Sequence, residues 1–195
     1  RSLHRRRQAL SLDRAIAAIR SREVVGLPTD TVYGIGADPL SEEAVSRLFE
    51  LKGRPDHKPI GLLVASLKQA ELIGEIEGVA AELAAAHWPG ALTLVVTPKV
   101  VLADWVGDSQ RLTVGLRVPD HEIALELLEA VGPLAVTSAN LSGGSESMSD
   151  LDARSVFGKL VPVYVEGTAP GGEASTVVDV TGAEVVVLRQ GPVFI

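Results

Sequence analysis

Residues 113–137 read TVGLRVPDHEIALELLEAVGPLAVT, and this stretch decides the fold class. Thr113–Val118 predicts a strand, Glu122–Val131 a helix and Leu134–Thr137 a second apolar strand. The same alternation extends in both directions. Upstream, Leu12, Ala15, Ile16 and Ile19 recur at helical spacing behind Ser11, which predicts a first helix capped at that serine. Val24–Leu27 reads as a strand stopped by Pro28. Ser41 opens the next helix, with Glu42 and Glu43 in the first turn, where they suit the dipole, and Ala44, Val45, Leu48 and Phe49 as its apolar face. Ile60–Val64 is a short apolar strand, and Ser66 with Gln69 forms a capping box for a helix reaching about Ile73. Val79–Trp88 predicts a helix and Leu92–Thr97 a strand. Downstream, a helix opens between Ser149 and Asp152 and reaches Leu160. The strand candidates Val161–Val165, Thr176–Val180 and Val185–Leu188 follow.

Helices alternating with buried strands predict an α/β fold, a single domain around a twisted β-sheet flanked by helices. Strand spacing is uneven and several strands follow one another without a helix, so the sheet is expected to be mixed. No internal repeat or linker divides the 195 residues, a length that suits one sizeable core.

Composition narrows the function classes. Apolar residues make up 46% of the chain, which excludes a disordered protein, and no apolar run is long enough to span a membrane. Without cysteine there are no disulfides or thiolate metal sites, which suits a cytoplasmic location. His4, His57, His87 and His121 are scattered without paired-ligand spacing, so no protein-bound metal is expected. The net charge of −7 argues against a whole-surface nucleic-acid binder. The dense basic run, Arg1 with Arg5, Arg6 and Arg7, marks residues 1–10 as a basic, flexible N-terminus ahead of a domain over 11–195.

Familiar nucleotide and nucleophile signatures are missing. There is no GxxxxGK[ST], Gly34-Ile35-Gly36 lacks the third glycine of a dinucleotide fingerprint, and no GxSxG elbow occurs. Polar strings at strand boundaries are the alternative. Pro28-Thr29-Asp30-Thr31-Val32-Tyr33-Gly34 follows a buried strand, where open α/β sheets bind ligands, although the same residues also make ordinary turns. Lys52-Gly53-Arg54-Pro55, with Lys58 beyond, either relieves a helix dipole or meets phosphates. Thr113, Gly115 and Arg117 share one face of their strand, and Arg117 needs an anionic partner, a substrate carboxylate or a structural Asp or Glu. Ser138 and Asn140, in TSANLSGG (137–144), can face one ligand, with glycines allowing close backbone approach. Ser175 and Arg189 offer further polar groups at strand boundaries.

Seven strings in order, PTDTVYGIGA, KGRP, PGALT, VGLRVPDH, PLAVTSANLSG, STVVD and LRQG, resemble the YrdC family, over residues 28 to 191. The resemblance implies a YrdC-like catalytic domain with a basic concave active-site cavity. It implies an L-threonylcarbamoyladenylate synthase, a nucleotidyltransferase that makes threonylcarbamoyl-AMP and pyrophosphate from L-threonine, bicarbonate or CO2, and ATP with Mg2+. The product would serve threonylcarbamoyladenosine modification of tRNA through hand-over to a separate tRNA threonylcarbamoyl transferase complex in the cytoplasm.

Matched by position, Lys52, Arg54, Ser138 and Asn140 are the implied catalytic residues. Thr31, Arg117 and Ser175 are implied to bind threonine. Arg54, Lys58, Thr113, Ser138, Asn140 and Arg189 are implied to bind the nucleotide. Two positions depart from the pattern. Leu63 stands near the place where longer members carry a histidine that touches threonine. SESMS (145–149) lacks the usual hydroxyl contact, which Ser147 or Ser149 would have to supply. The competing readings are a weak RNA-binding YrdC-like module and a paralogue with another acceptor.

Overall fold

The computed structural model describes residues 2–53 and 58–195. In chain order, helix α1 spans Ser2–Arg20, followed by strands β1 (Val25–Leu27) and β2 (Gly34–Ala37). Helix α2 (Glu42–Lys52), strand β3 (Leu62–Leu63) and helices α3 (Leu67–Ile73) and α4 (Val79–His87) come next. Strands β4 (Leu92–Val96) and β5 (Val114–Arg117), helix α5 (Glu122–Val131) and strand β6 (Leu134–Ser138) follow. Helix α6 (Asp150–Phe157) and strands β7 (Val163–Tyr164), β8 (Thr176–Asp179) and β9 (Val186–Arg189) complete the chain.

Among the described residues, nine strands form one sheet in the order β7-β1-β2-β6-β3-β5-β4-β8-β9. The pairs β1/β7, β3/β5 and β4/β8 are parallel and the others antiparallel, so the sheet is mixed as expected. Two helix starts follow the serines read from the sequence. Ser41 accepts from the Ala44 amide, and Ser66 accepts from the Gln69 amide while Gln69 Oε1 accepts from Ala65 N at 2.8 Å. Ser149 caps α6 through the Asp152 amide.

Two expectations are corrected. Ser11 does not cap α1, because the helix already runs from Ser2. The Ser11 hydroxyl instead donates to the Gln8 carbonyl and accepts from Glu166 N, tying the helix to the chain after β7. Strand β2 was not expected at all. Its sequence, GIGA, carries two glycines, which are depleted in strands. The small residues fit because β2 lies between β1 and β6, where a Cβ on Gly34 would stand 2.7 Å from Val136 Cγ1.

The two faces of the sheet have different fates. On one, Leu92, Leu94 and Val96 of β4 and Val114 and Leu116 of β5 join the larger apolar core with residues of α2, α4 and α6. On the other, α1 and α5 pack Leu12, Ile19, Leu127 and Leu128 against β1, β3 and β6. Side chains alternate along a strand, so Thr93, Thr113, Gly115 and Arg117 point away from the larger core. They enter the part of the second face beyond the α1–α5 cluster, and a cavity lies there.

Candidate active site

The cavity measures about 540 Å³, inside the ~300–1,000 Å³ usual for small-molecule sites. Strand ends and loops from β1 through β9 supply its wall, so residues far apart in sequence converge. Of the site residues read from the sequence, Thr31, Lys58, Thr113, Arg117, Ser138, Asn140, Ser175 and Arg189 all line it. Arg54 lies outside the described residues.

At one end the loop between β1 and β2 meets β5. Arg117 donates through Nη1 to Asp30 Oδ1 at 2.7 Å and through Nη2 to Thr31 Oγ1 at 3.1 Å. The anionic partner that the sequence demanded is thus Asp30. Both side chains of the pair are largely buried, at 7% and 13% exposed. Burial pulls the guanidinium below its ordinary range, Asp30 opposes that pull, and Arg189 adds to it. Thr29 fixes the loop from inside, donating to the Val32 carbonyl at 2.7 Å and accepting from the Thr31 amide at 3.1 Å. The loop around Gly171 crosses directly over it. Gly172 N donates to Thr31 O, and a Cβ on Gly171 would stand 2.2 Å from the Asp30 carbonyl oxygen, so only glycine fits.

A second cluster forms after β6. Ser138 Oγ donates to Asn140 Oδ1 at 2.6 Å, and Asn140 Nδ2 donates to the Gly144 carbonyl at 2.7 Å. Lys52, at the end of α2, is buried behind this loop and is not part of the cavity wall. Its Nζ donates to Ser138 O at 2.7 Å and Asn140 Oδ1 at 2.9 Å. The lysine therefore orients the two polar side chains and puts positive charge behind them. Neither serine offered for the 145–149 contact reaches the cavity. The Ser147 hydroxyl donates to the Ala139 carbonyl, Ser149 caps α6, and Glu146 takes the place in the wall. Leu63 is a wall residue as well.

The third cluster joins β4, β8 and β9. Arg189 donates through Nε and Nη2 to the Ser175 carbonyl at 3.0 and 2.9 Å, and Ser175 Oγ lies 2.8 Å from Thr93 Oγ1. Burial lowers the Arg189 guanidinium from its usual value, and Glu146 works against this. Thr93, Arg111, Asp108 and Glu146 are cavity residues that sequence reasoning missed. Thr93 was legible in principle, since it lies opposite in phase to Leu92 and Leu94 on an otherwise apolar strand.

A family model described as "Sua5_yciO_yrdC: Telomere recombination" matches residues 17–191. The chain belongs to the Sua5/YciO/YrdC family. A Mycobacterium tuberculosis protein, named provisionally as a threonylcarbamoyl-AMP synthase, is 46% identical over 92% of this chain and 83% of its own length. The threonylcarbamoyl-AMP synthase of Pyrococcus abyssi is 42% identical over 91% of this chain. This chain spans about half of that longer relative, 53% of its length. The structure of P. abyssi Sua5 complexed with L-threonine has a TM-score of 0.85 at 39% identity, covering 92% of this chain and 54% of that one. E. coli YciO also has a TM-score of 0.85, at 28% identity, covering 95% and 90%. Membership agrees with the resemblance read from the seven strings.

Among the described residues, no helix is long and apolar enough to cross a membrane, and no group of three His, Cys, Asp or Glu side chains could hold a metal.

Proposed function

We propose that the chain is an L-threonylcarbamoyladenylate synthase acting as a nucleotidyltransferase on Mg2+-ATP, L-threonine and bicarbonate or CO2. The observation that carries the reading is one cavity that opens onto Arg117 and Thr31 at one end and Ser138, Asn140, Lys58 and Arg189 around the rest. Threonine lies against Thr31, Arg117 and Ser175, its carboxylate on the guanidinium. Its amine takes up the CO2 unit as a carbamate. A carbamate oxygen then attacks the α-phosphorus of ATP, the bond to the β-phosphate bridge breaks, and pyrophosphate leaves.

The protein supplies position and charge in this scheme, and no side chain forms a covalent intermediate. Lys58 and Arg189, which line the cavity, neutralise the phosphates, and Arg54 is assigned the same role by its place in the family pattern. Thr113, Ser138 and Asn140 hold the nucleotide, with Lys52 acting from behind them. The product is then passed to a tRNA threonylcarbamoyl transferase complex in the cytoplasm, and residues 11–195 form the catalytic domain.

The test is pyrophosphate release from ATP with threonine and bicarbonate omitted in turn. Release that needs both supports the synthase. Release needing neither, or none from folded protein, overturns it and favours a paralogue with another acceptor or an RNA-binding module. An RNA module would instead show binding that weakens steeply with salt and ignores threonine.

A further inference from the structure

Arg111 stands in the cavity wall without a role in the reaction described above. Its approach to the cavity is built by the backbone. Residues 108–113 form a closed turn in which Asp108 N donates to Thr113 O at 2.8 Å and Thr113 N to Asp108 O at 3.1 Å. Asp108 Oδ1 also accepts from the amides of Gln110 and Arg111, each at 3.0 Å. Within this turn Leu112 has φ of 53°, the left-handed region that a non-glycine residue rarely takes, with its side chain in solvent. The inversion leaves Arg111 on the cavity side, next to Thr113 and in series with Gly115 and Arg117.

Among the described residues the guanidinium has one anchor. Arg111 Nη2 donates to Asp179 Oδ2 at 2.8 Å. Asp179 is buried, and its other oxygen is already taken by Thr181 N at 2.9 Å and Thr181 Oγ1 at 2.6 Å. That carboxylate is therefore fixed. The arginine side chain is 57% exposed, and among the described residues Nε and Nη1 make no hydrogen bond. Held at one corner, the planar fork presents its remaining donors to the cavity, which is the geometry that binds phosphate oxygens bidentately.

We infer that Arg111 is a polyphosphate-binding residue of this cavity, positioned by Asp179 and Thr181 and contacting ATP or the departing pyrophosphate. The inference rests on the synthase reading for the identity of the ligand. It differs from a structural ion pair in what it moves: ATP use alone, with threonine binding intact.

The experiment compares the full chain with Arg111→Gln and Arg111→Lys. Steady-state pyrophosphate release gives KM for ATP and for threonine separately. Calorimetric titration with inorganic tripolyphosphate, without threonine or bicarbonate, gives anion affinity without turnover. For Arg111→Gln, KM for ATP rises about tenfold to hundredfold, the loss of one charged contact, while KM for threonine stays within about twofold. Tripolyphosphate affinity falls in parallel, and Arg111→Lys recovers part of both. An unchanged ATP KM and tripolyphosphate affinity overturns the inference. So does a joint loss of ATP and threonine affinity with a lowered melting temperature, which marks a structural pair. If the wild-type chain releases no pyrophosphate, the synthase reading fails while the tripolyphosphate titration still decides Arg111. If Arg111→Gln does not fold, Arg111→Lys, which keeps a cation for Asp179, carries the same comparison with a smaller shift.

Discussion

Replacing Arg117 with methionine separates what this arginine does for stability from the threonine contact proposed for it. The Arg117–Asp30 contact is 2.7 Å long between side chains only 7% and 13% exposed. Methionine keeps the apolar stem but leaves the Asp30 carboxylate buried without its cation. Breaking a buried pair from one side costs about 3–5 kcal/mol. In a domain of this size each kcal/mol lowers the melting temperature by roughly 2–4 °C, so Arg117→Met is expected to melt about 6–20 °C below wild type. Adding Asp30→Asn removes the stranded charge, and the double variant Asp30→Asn/Arg117→Met should regain most of that loss, since replacing both partners of a buried pair is often near neutral. Threonine-dependent pyrophosphate release should stay lost in both, because neither offers a guanidinium to the carboxylate. Thermal melts and the release assay on four proteins complete the cycle. A single variant melting within about 2 °C of wild type, or a double variant no more stable than the single, would refute the claim that Arg117 compensates a buried Asp30 charge.

Two further outcomes follow from the geometry. Gly171→Ala would place a Cβ 2.2 Å from the Asp30 carbonyl and 2.9 Å from Thr31 Cα, so one loop must move. Overpacking of this kind costs about 1–3 kcal/mol, and it should raise KM for threonine while leaving KM for ATP near wild type, measured in the same release assay. Asp179 gives a pH dependence. Burial alone would raise its carboxyl, but the two Thr181 hydrogen bonds and Arg111 outweigh that and hold it below the usual carboxylate value. The unfolded chain therefore takes up this proton first as pH falls, and the group's stabilisation is complete above about pH 5 and lost as pH falls from about 4 through the depressed native value. Melting curves of wild type and Asp179→Asn from pH 3 to 6 should differ by a constant gap at the upper end and converge at the lower; a gap that is flat across the range would contradict the assignment.

What the sequence revealed depended on how local the cause was. Helix starts at Ser41 and Ser66 are set over three residues and are where they were read, and a helix does open at Ser149, although the equally local Ser11 is no cap. Strand phase is equally local, so Thr113, Gly115 and Arg117 could be put on one face before any partner was known. Asp30 as the partner of Arg117 could not, because 87 positions separate them and only the sheet order joins their elements. The same holds for Lys52, whose acceptor on Asn140 is 88 positions away. A helix-terminal lysine reads as a solvated charge, and nothing local marks it as buried. Strand β2 and the start of α1 escaped for the opposite reason. In β2 local propensity spoke against a strand and tertiary context overrode it, with glycines tolerated where strands crowd; in α1 the charge of the arginine run was weighed above the good helix propensity of Arg, Leu and Gln. Arg111 was hidden by a left-handed Leu112 that no sequence rule predicts.

The paired charges at the threonine end have a chemical consequence on the proposed function. A lone arginine would recognise any carboxylate, whereas Arg117 with Asp30 presents a cation and an anion 2.7 Å apart in a nearly dry corner. Free amino acids carry the complementary pair, a carboxylate and an ammonium on one carbon. On that proposal an incoming carboxylate would take donors from the guanidinium fork, and Asp30, partly released, would become an acceptor for the amine. This orientation turns the nitrogen to a fixed direction before it takes up the CO2 unit. It also disfavours simple carboxylic acids, which would compete with Asp30 for Arg117 and return nothing to it. The buried ion pair that weakens the case for Arg117 as a free anion receptor thus strengthens the case for an amino-acid site. Its low exposure matters for the same reason, since in water these charges would be screened and the preference would vanish.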